Sequence, residues 1–460
     1  MTGWWHERGR RLVIAGLAVA CLSACACRAG ARGDAEAGPG AGDAACAPTS
    51  TDGACPAPGA GIAWSAPEQI YLGYLLHTRL RFRPDGTPVI LAYDGPAWFG
   101  ACSAGGAALD SRVYFVTPDG AGSWTSEELG ERFHRSFVGD PWMALTIDPG
   151  SGAPCVAYLG NYPQIYDPLP TCGDHDLLVR CRDASGWGAP TIAAAGIDPA
   201  DPCDPACAPA AVKGITPALE LGPDGALVVA YRAQPDGWRG TAPGAGWLEL
   251  ASAPAADATW TSAAVAGTAG GGLDAALAFD PTGRAVVAHL DVDGSAHLSR
   301  QLGATWETRA LPSPAARTLE MTVAPDGAIY VALGTSCPLR LVVLSSTDGG
   351  GSWTETVVDE DGATGLDPSM RLTADGRPVV AYKRCGSGGG CAASCYSLED
   401  AVKIAWLAGD GWHVQTVGDG GDHHVFYPSL DLAPDGAIGV AYWVELPESY
   451  WLELAHGRFE

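Results

Sequence analysis

Seven charged or imidazole side chains stand at or just past the ends of apolar runs: Asp94, Arg232, His289, Asp291, Lys383, Arg384 and Glu445. Carboxylates, guanidiniums, an ammonium and an imidazole so placed can hold a polar ligand through charge-assisted hydrogen bonds, and they form the candidate ligand-binding set. The other suggestive spacings are fragments. Asp291-x-Asp293-Gly294, Asp359-Glu360-Asp361-Gly362, Asp174-His175-Asp176 and His423-His424 each supply part of a metal-ligand set and none supplies a whole one. No metal site is assigned; half a calcium loop makes structural Ca²⁺ the one ion to consider, and no other cofactor is expected. Cys203-x-x-x-Cys207 and Cys391-x-x-x-Cys395 lack the second ligand pair that a zinc site requires. A phosphate-cradling glycine loop, a zinc-protease helix and a Gly-x-Ser-x-Gly nucleophile turn do not occur.

The elements that must position these residues belong to a repeat. Aligned on a turn glycine, it reads LRFRPDGTPVILAY at 80–93, LELGPDGALVVAY at 219–231 and LDLAPDGAIGVAY at 430–442, with further copies at 145–158, 277–289, 321–333 and 370–382. The first arm alternates apolar with variable residues. Pro presets one turn dihedral, Gly takes the left-handed one, and the second arm is a nearly continuous apolar run, so each copy is a β-hairpin whose second strand is covered on both faces. A third strand follows, as in 112–116, 177–181, 340–344 and 402–406, and then a tryptophan that opens a fourth. These are Trp124, Trp187, Trp260, Trp306, Trp353 and Trp412, and the last copy lacks its own. Trp64 and the strand-like stretch after it supply the missing piece from the other end of the chain. The expected fold is all-β, a seven-bladed β-propeller over 62–460, closed by an N-terminal outer strand that completes the last blade and leaves no open edge. The repeated Tyr93, Tyr158, Tyr231, Tyr382 and Tyr442 are expected to pack between blades.

In such a ring the Pro-Asp-Gly turns share one face, and the connections between second and third strands share the other. The longest segments, 94–110, 159–176, 232–246 and 383–401, fall on that second face, which makes it the recognition face. With 52 acidic against 27 basic residues and a net charge of -25, the chain repels phosphate backbones, so nucleic acid is excluded as a partner. A glycan or an envelope or extracellular protein is the expected ligand.

Arg8, Arg10 and Arg11 precede the uncharged apolar stretch 12–24, the pattern of an export signal. Leu22-Ser23-Ala24-Cys25 resembles the lipobox of bacterial lipoproteins, and better than the rival stretch ending in Cys21. The resemblance implies cleavage after residue 24, lipidation of Cys25 and, because Ala26 follows, an outer-membrane location in the cell envelope with the lipid as the only membrane contact. Residues 25–61 are rich in Ala, Gly and Pro and read as a flexible tether. Beyond Cys21, Cys25 and Cys27 twelve cysteines remain, an even number in an oxidising compartment, so disulfides are expected. Cys155 and Cys181 fall on strands expected to be neighbours; the other pairings stay open.

Ser346-Thr347-Asp348-Gly349-Gly350-Gly351-Ser352-Trp353 matches the Asp-box pattern S-x-D-x-G-x-x-W, and 117–124 is a degraded copy with Ala121 at a glycine position. Through this motif the chain resembles the Asp-box (BNR repeat) propellers that include sialidases. The resemblance supports the propeller and does not by itself imply catalysis, because the motif fixes a hairpin. If it extended to sialidase chemistry, Arg79, Arg81 and Arg371 would hold a substrate carboxylate, with Glu320 and Asp431 as the carboxyl groups. The family's Arg-Ile-Pro signature is absent, and Arg81-Phe82-Arg83-Pro84 stands there instead. The expected function is therefore a lipid-anchored binding propeller, with a sialidase-type glycoside hydrolase as the alternative.

Overall fold

The computed structural model describes residues 61–72, 75–94, 111–133, 143–160, 176–196, 212–234, 246–386, 399–419, 421, 423–446 and 449–460. Cys25, the export segment, the tether and most of the long connections lie outside them. The described chain is all β: seven antiparallel sheets, each beginning at the axis and running outward. This is the seven-bladed propeller expected from the repeat. Blade 1 comprises residues 75–133, blade 2 143–194, blade 3 212–264, blade 4 271–310, blade 5 316–359 and blade 6 363–419. Blade 7 takes its three inner strands from 424–459 and its outer strand from the N-terminal side, where Ile62, Ala63 and Trp64 pair with Phe459, Arg458 and Gly457. Glu68 to Leu72 extends the same edge against Leu454 to Trp451.

The second strand of each blade is buried on both faces. Residues 227–233 are buried without interruption, as are 285–290 and 378–383. Each such Val, Leu or Ile stabilises the fold by roughly 1.5–3 kcal/mol relative to exposure. The clusters formed this way span neighbouring blades, as when Val89 and Val113 of blade 1 join Met143 and Val156 of blade 2. Tyr158, Tyr231, Tyr382 and Tyr442 are buried at the expected inter-blade position. Two of them also satisfy their hydroxyls internally: Tyr231 donates to Glu249 and Tyr382 to Asp359, and both carboxylates also receive a lysine, Lys213 and Lys403 respectively.

Around the axis the blades are tied by side chains of one inner strand that accept amides of the next. Asp274 accepts Leu319 N at 2.8 Å, Thr318 accepts Asp367 N at 3.2 Å and Ser369 accepts Leu430 N at 2.9 Å. Ser429 and Asp431 then accept Leu80 N and Phe82 N across the closing joint, at 2.8 and 2.6 Å. Four inner strands bulge at one equivalent position, nine residues before the turn glycine. There His77, Thr216, Asp367 and Tyr427 adopt φ of 46° to 52°. Left-handed backbone at non-glycine residues costs on the order of 1 kcal/mol or more each, and it concentrates here at the recognition-face end of the channel.

The Asp-box closes a hairpin, as its pattern implies. Asp348 Oδ1 accepts the amides of Gly351 and Ser352, both at 2.9 Å, and the Ser346 hydroxyl at 2.8 Å. The Ser352 hydroxyl, which donates to Oδ2 at 2.7 Å, and those donors hold its carboxyl far below the usual range. Cys155 and Cys181 pair directly across two strands of blade 2 and form a disulfide; Cys337 and Cys385 are each disulfide-bonded as well.

Candidate functional site

The channel wall follows from the strand period of two. Positions five and seven residues before the turn glycine face the axis, and at the first of these stand Arg81, Glu220, Arg371 and Asp431. Arg79 and Glu320 stand at the second, while blades 2 to 4 present Ala144, Ala218, Ala276 and Ala278. Charged groups come from blades 1, 3, 5, 6 and 7 and small apolar groups from blades 2, 3 and 4. They border a half-open cavity of ≈ 310 Å³.

The guanidiniums are unequally engaged. Arg371 Nε meets Asp431 Oδ1 at 2.9 Å, and its Nη1 donates to Met370 O at 2.7 Å. Arg81 donates to Leu80 O at 2.9 Å and comes no nearer than 4.0 Å to Glu220. Arg79 reaches Thr78 O at 3.4 Å. Burial pushes Glu220 up to about 7 and Asp431 up to about 6, against the pull of Arg81 in both cases. It also raises Glu320 and lowers Arg79. The five residues that the sialidase resemblance would need thus share one channel, but one of the three arginines is already tied to a carboxylate.

At the recognition-face end an aromatic row runs across blades 1 and 7. His77 lies between Tyr93 and Tyr427, with ring centroids 5.1 and 3.8 Å away. Phe426 follows 5.9 Å from Tyr427, Trp443 5.0 Å from Phe426, and Tyr450 stacks 5.7 Å from Trp443. Tyr93, Tyr427, Phe426 and Tyr450 are partly exposed, whereas His77 and Trp443 are buried. Polar groups border the row. Lys383 Nζ sits 3.5 Å from the Phe426 centroid and 2.9 Å from Asp400, and Tyr450 stands opposite Glu445 in the last hairpin. Burial pushes Asp367 up to about 6, with Lys383 and Arg79 opposing it.

The seven candidate ligand-binding residues distribute as follows. Lys383 and Glu445 border the aromatic row, both buried, and Arg384 is half-buried beside Lys383 on the same strand. Arg232, His289 and Asp291 gather on blades 3 and 4. His289 Nε2 lies 3.2 Å from Ser299 Oγ, its ring stacks on His297 at 5.4 Å, and His297 Nε2 meets Asp291 Oδ2 at 3.1 Å. Burial, with the neighbouring His297, pushes His289 down to about 3. Gly246 makes room for the buried Arg232, since a Cβ there would lie 2.4 Å from its Nε. Asp94 ends the second strand of blade 1 opposite Leu75 and Arg112; its side chain lies outside the described residues. Asp293 caps its own turn by accepting Ser295 N at 2.9 Å. Among the described residues no group of three or more His, Cys, Asp or Glu has the arrangement to hold a metal ion.

Sequence reasoning passed over Glu220 and the aromatic row. Glu220 could have been found from the repeat, because it occupies the position of Arg81 and Arg371. The row carried a weaker sign, the aromatic pairs Phe426-Tyr427 and Tyr450-Trp451 flanking the last copy of the hairpin.

No family model matches the chain, and neither does any curated protein. Solved structures do resemble it. A protein of unknown function from Dyadobacter fermentans has 14% identity and a TM-score of 0.48 over 87% of this chain and 100% of that one. Trypanosoma rangeli sialidase in complex with the inhibitor DANA has 13% identity and a TM-score of 0.43, covering 85% of this chain and 56% of its own. Leech intramolecular trans-sialidase has 12% identity and a TM-score of 0.42, covering 85% and 70%. The chain thus spans little more than half the length of the trypanosomal sialidase. By its own sheet topology the chain is a seven-bladed β-propeller, and its structural neighbours include sialidases.

Proposed function

We propose that this propeller is a binding protein that takes a glycan at the recognition-face end of its channel, on the aromatic row of blades 1 and 7. The observation that carries the reading is the row of partly exposed rings, Tyr93, Tyr427, Phe426 and Tyr450. Sugar rings present apolar C–H faces edged by hydroxyls, and flat aromatic rings with phenolic hydroxyls complement both. With Cys25 lipidated and 25–61 as a tether, the site would be held off an envelope membrane, facing extracellular or envelope glycans.

One observation favours hydrolysis of the sialidase type, the pairing of Tyr450 with Glu445 across the last hairpin, since a phenol beside a carboxylate can serve as a nucleophile. Such an enzyme also needs unoccupied guanidiniums for the substrate carboxylate, and the tie between Arg371 and Asp431 works against that. Screening the full chain against a panel of neutral and sialylated glycans, with turnover of a fluorogenic sialoside assayed alongside, separates the readings. Binding without turnover is the expected outcome. Turnover that is lost in Tyr450→Phe would replace the binding reading with the enzymatic one.

A further inference from the structure

Arg79, Arg81, Glu220 and Glu320 pose a problem that the glycan reading leaves open. All four border the channel cavity, which lies below the aromatic row toward the turn face. Guanidiniums and carboxylates that are half-buried along a channel lose part of their hydration, and the loss is made good only where each finds an opposite charge at hydrogen-bonding distance. Here they do not find one another. Arg81 and Glu220 stop at 4.0 Å, and among the described residues neither Arg79 nor Glu320 makes an ion pair within 4.0 Å. Arg79 and Arg81 each spend a donor on the carbonyl of the preceding residue, and Glu320 accepts only the amide of Met321, at 3.1 Å. Each guanidinium carries five N–H donors, so most of that capacity remains.

We infer that the channel cavity is a second binding site, specific for a small zwitterion of the α-amino acid class. The arrangement fits on three counts. Arg79 and Arg81 offer planar donor forks to a carboxylate, the geometry for which guanidinium is better suited than any other side chain. Glu220 and Glu320 offer acceptors to an ammonium. In an α-amino acid the two charges are separated by a single carbon, so the protein's complementary charges must lie side by side, and the 4.0 Å between Arg81 and Glu220 provides that spacing. Ala276 and Ala278 of blade 4, Ala144 of blade 2 and Ala218 beside Glu220 leave small apolar surface for a short side chain. The volume of ≈ 310 Å³ is at the small end of ligand sites, suited to a metabolite and too small for an oligosaccharide.

The test is a calorimetric titration of the full chain with L-alanine, propionate and ethylamine, which share a short aliphatic body and differ in charge. L-alanine should bind and raise the melting temperature, while propionate and ethylamine at equal concentration should bind at least tenfold more weakly. Glu220→Gln and Arg81→Gln should each weaken L-alanine at least tenfold. Ala278→Leu, which fills the cavity without touching a charge, should abolish binding even if a charge variant folds poorly. Tyr427→Ala should leave L-alanine binding intact, which keeps this site separable from the glycan site. Failure of L-alanine and of larger zwitterions such as glutamate and lysine to bind would overturn the inference. So would propionate binding as tightly as L-alanine, which would make the cavity a plain anion site, or unchanged binding in Ala278→Leu.

Discussion

Arg371 on blade 6 and Asp431 on blade 7 meet at 2.9 Å inside the channel, and the second carboxylate oxygen of Asp431 accepts Phe82 N of blade 1 at 2.6 Å. One carboxylate thus joins three consecutive blades at the joint where the ring closes. It explains why the arginines do not gather into a single anion cradle: the sixth-blade arginine is used to close the wheel. Asp431→Ala leaves a half-buried guanidinium and the Phe82 amide without their acceptor, and should destabilise the fold by roughly 1–3 kcal/mol. Asp431→Asn keeps an acceptor for the amide and should cost less. Chemical denaturation of both variants checks the order.

A second buried pair allows the effect of charge to be separated from the effect of shape. Lys383 and Asp400 are 1% and 0% exposed by side chain and 2.9 Å apart. Removing one partner, as in Asp400→Ala, should destabilise by roughly 3–5 kcal/mol because the other is left charged in the interior. Replacing both, as in Lys383→Met with Asp400→Leu, should recover most of that loss. A denaturation cycle over the single and double variants measures the coupling, and additive losses would show that the ammonium over Phe426 matters more than the ion pair.

The architecture was legible in the sequence because it is written seven times. The turn glycines, the double-sided apolar second strands and the seven tryptophans each repeat, and errors at one copy are corrected by the others. The ligand set was harder to read. Lys383, Glu445, His289 and Arg232 were chosen because they follow apolar runs, a rule that finds the end of a strand but not the direction of a side chain. Second-strand residues alternate between neighbouring blades, so these four are buried between sheets. The channel wall obeys the same period of two but on first strands, which is why Arg79, Arg81, Arg371, Glu320 and Asp431 do converge. Bulges at His77, Thr216, Asp367 and Tyr427 carry no sequence sign, since left-handed backbone is ordinarily marked by glycine.

The glycan reading predicts a spatially confined loss. Phe426→Ala and Tyr427→Ala each remove a ring from the row and should reduce binding of a glycan found by screening about tenfold, in line with roughly 1–2 kcal/mol for an aromatic contact. Asp348→Ala in the Asp-box, on the turn face, should lower the melting temperature and leave glycan affinity unchanged. Equal losses in all three variants would mean that binding merely reports global stability.

The disulfide between Cys155 and Cys181 closes a chain separation of 26 residues. On the chain-entropy account, a loop of this size stabilises by about 3–4 kcal/mol through restriction of the unfolded state. Cys155→Ala with Cys181→Ala should therefore unfold at lower denaturant with little change in the folded spectrum. Because the pair sits on strands already in register, refolding under reducing conditions should still yield the propeller.

The raised carboxyls of the channel give stability a definite dependence on pH. Burial pushes Glu220 to about 7 and Asp367 to about 6, both above their unfolded values of about 4. A group raised in the folded state binds its proton more tightly there. Its contribution is complete below the unfolded pKa and is lost as pH rises through the folded one. Glu249 and Asp359 act in the opposite sense. Burial opposes their ionisation, but hydrogen bonds from Lys213 and Tyr231 to Glu249, and from Lys403 and Tyr382 to Asp359, hold both below the usual range. Their contribution is present above about pH 4 and disappears as they are protonated. The two sets together place the stability maximum near pH 4 to 5, with a decline from there to about pH 7, where the unfolded carboxyls are ionised and the channel carboxyls still hold their protons, and no further loss above it. Melting temperature measured from pH 4 to 9 should show this decline, and Glu220→Gln should flatten it. A wild-type curve that is flat or rising across that interval would mean that the channel carboxyls are already ionised and fully matched by Arg79, Arg81 and Arg371, contrary to the burial argued for them.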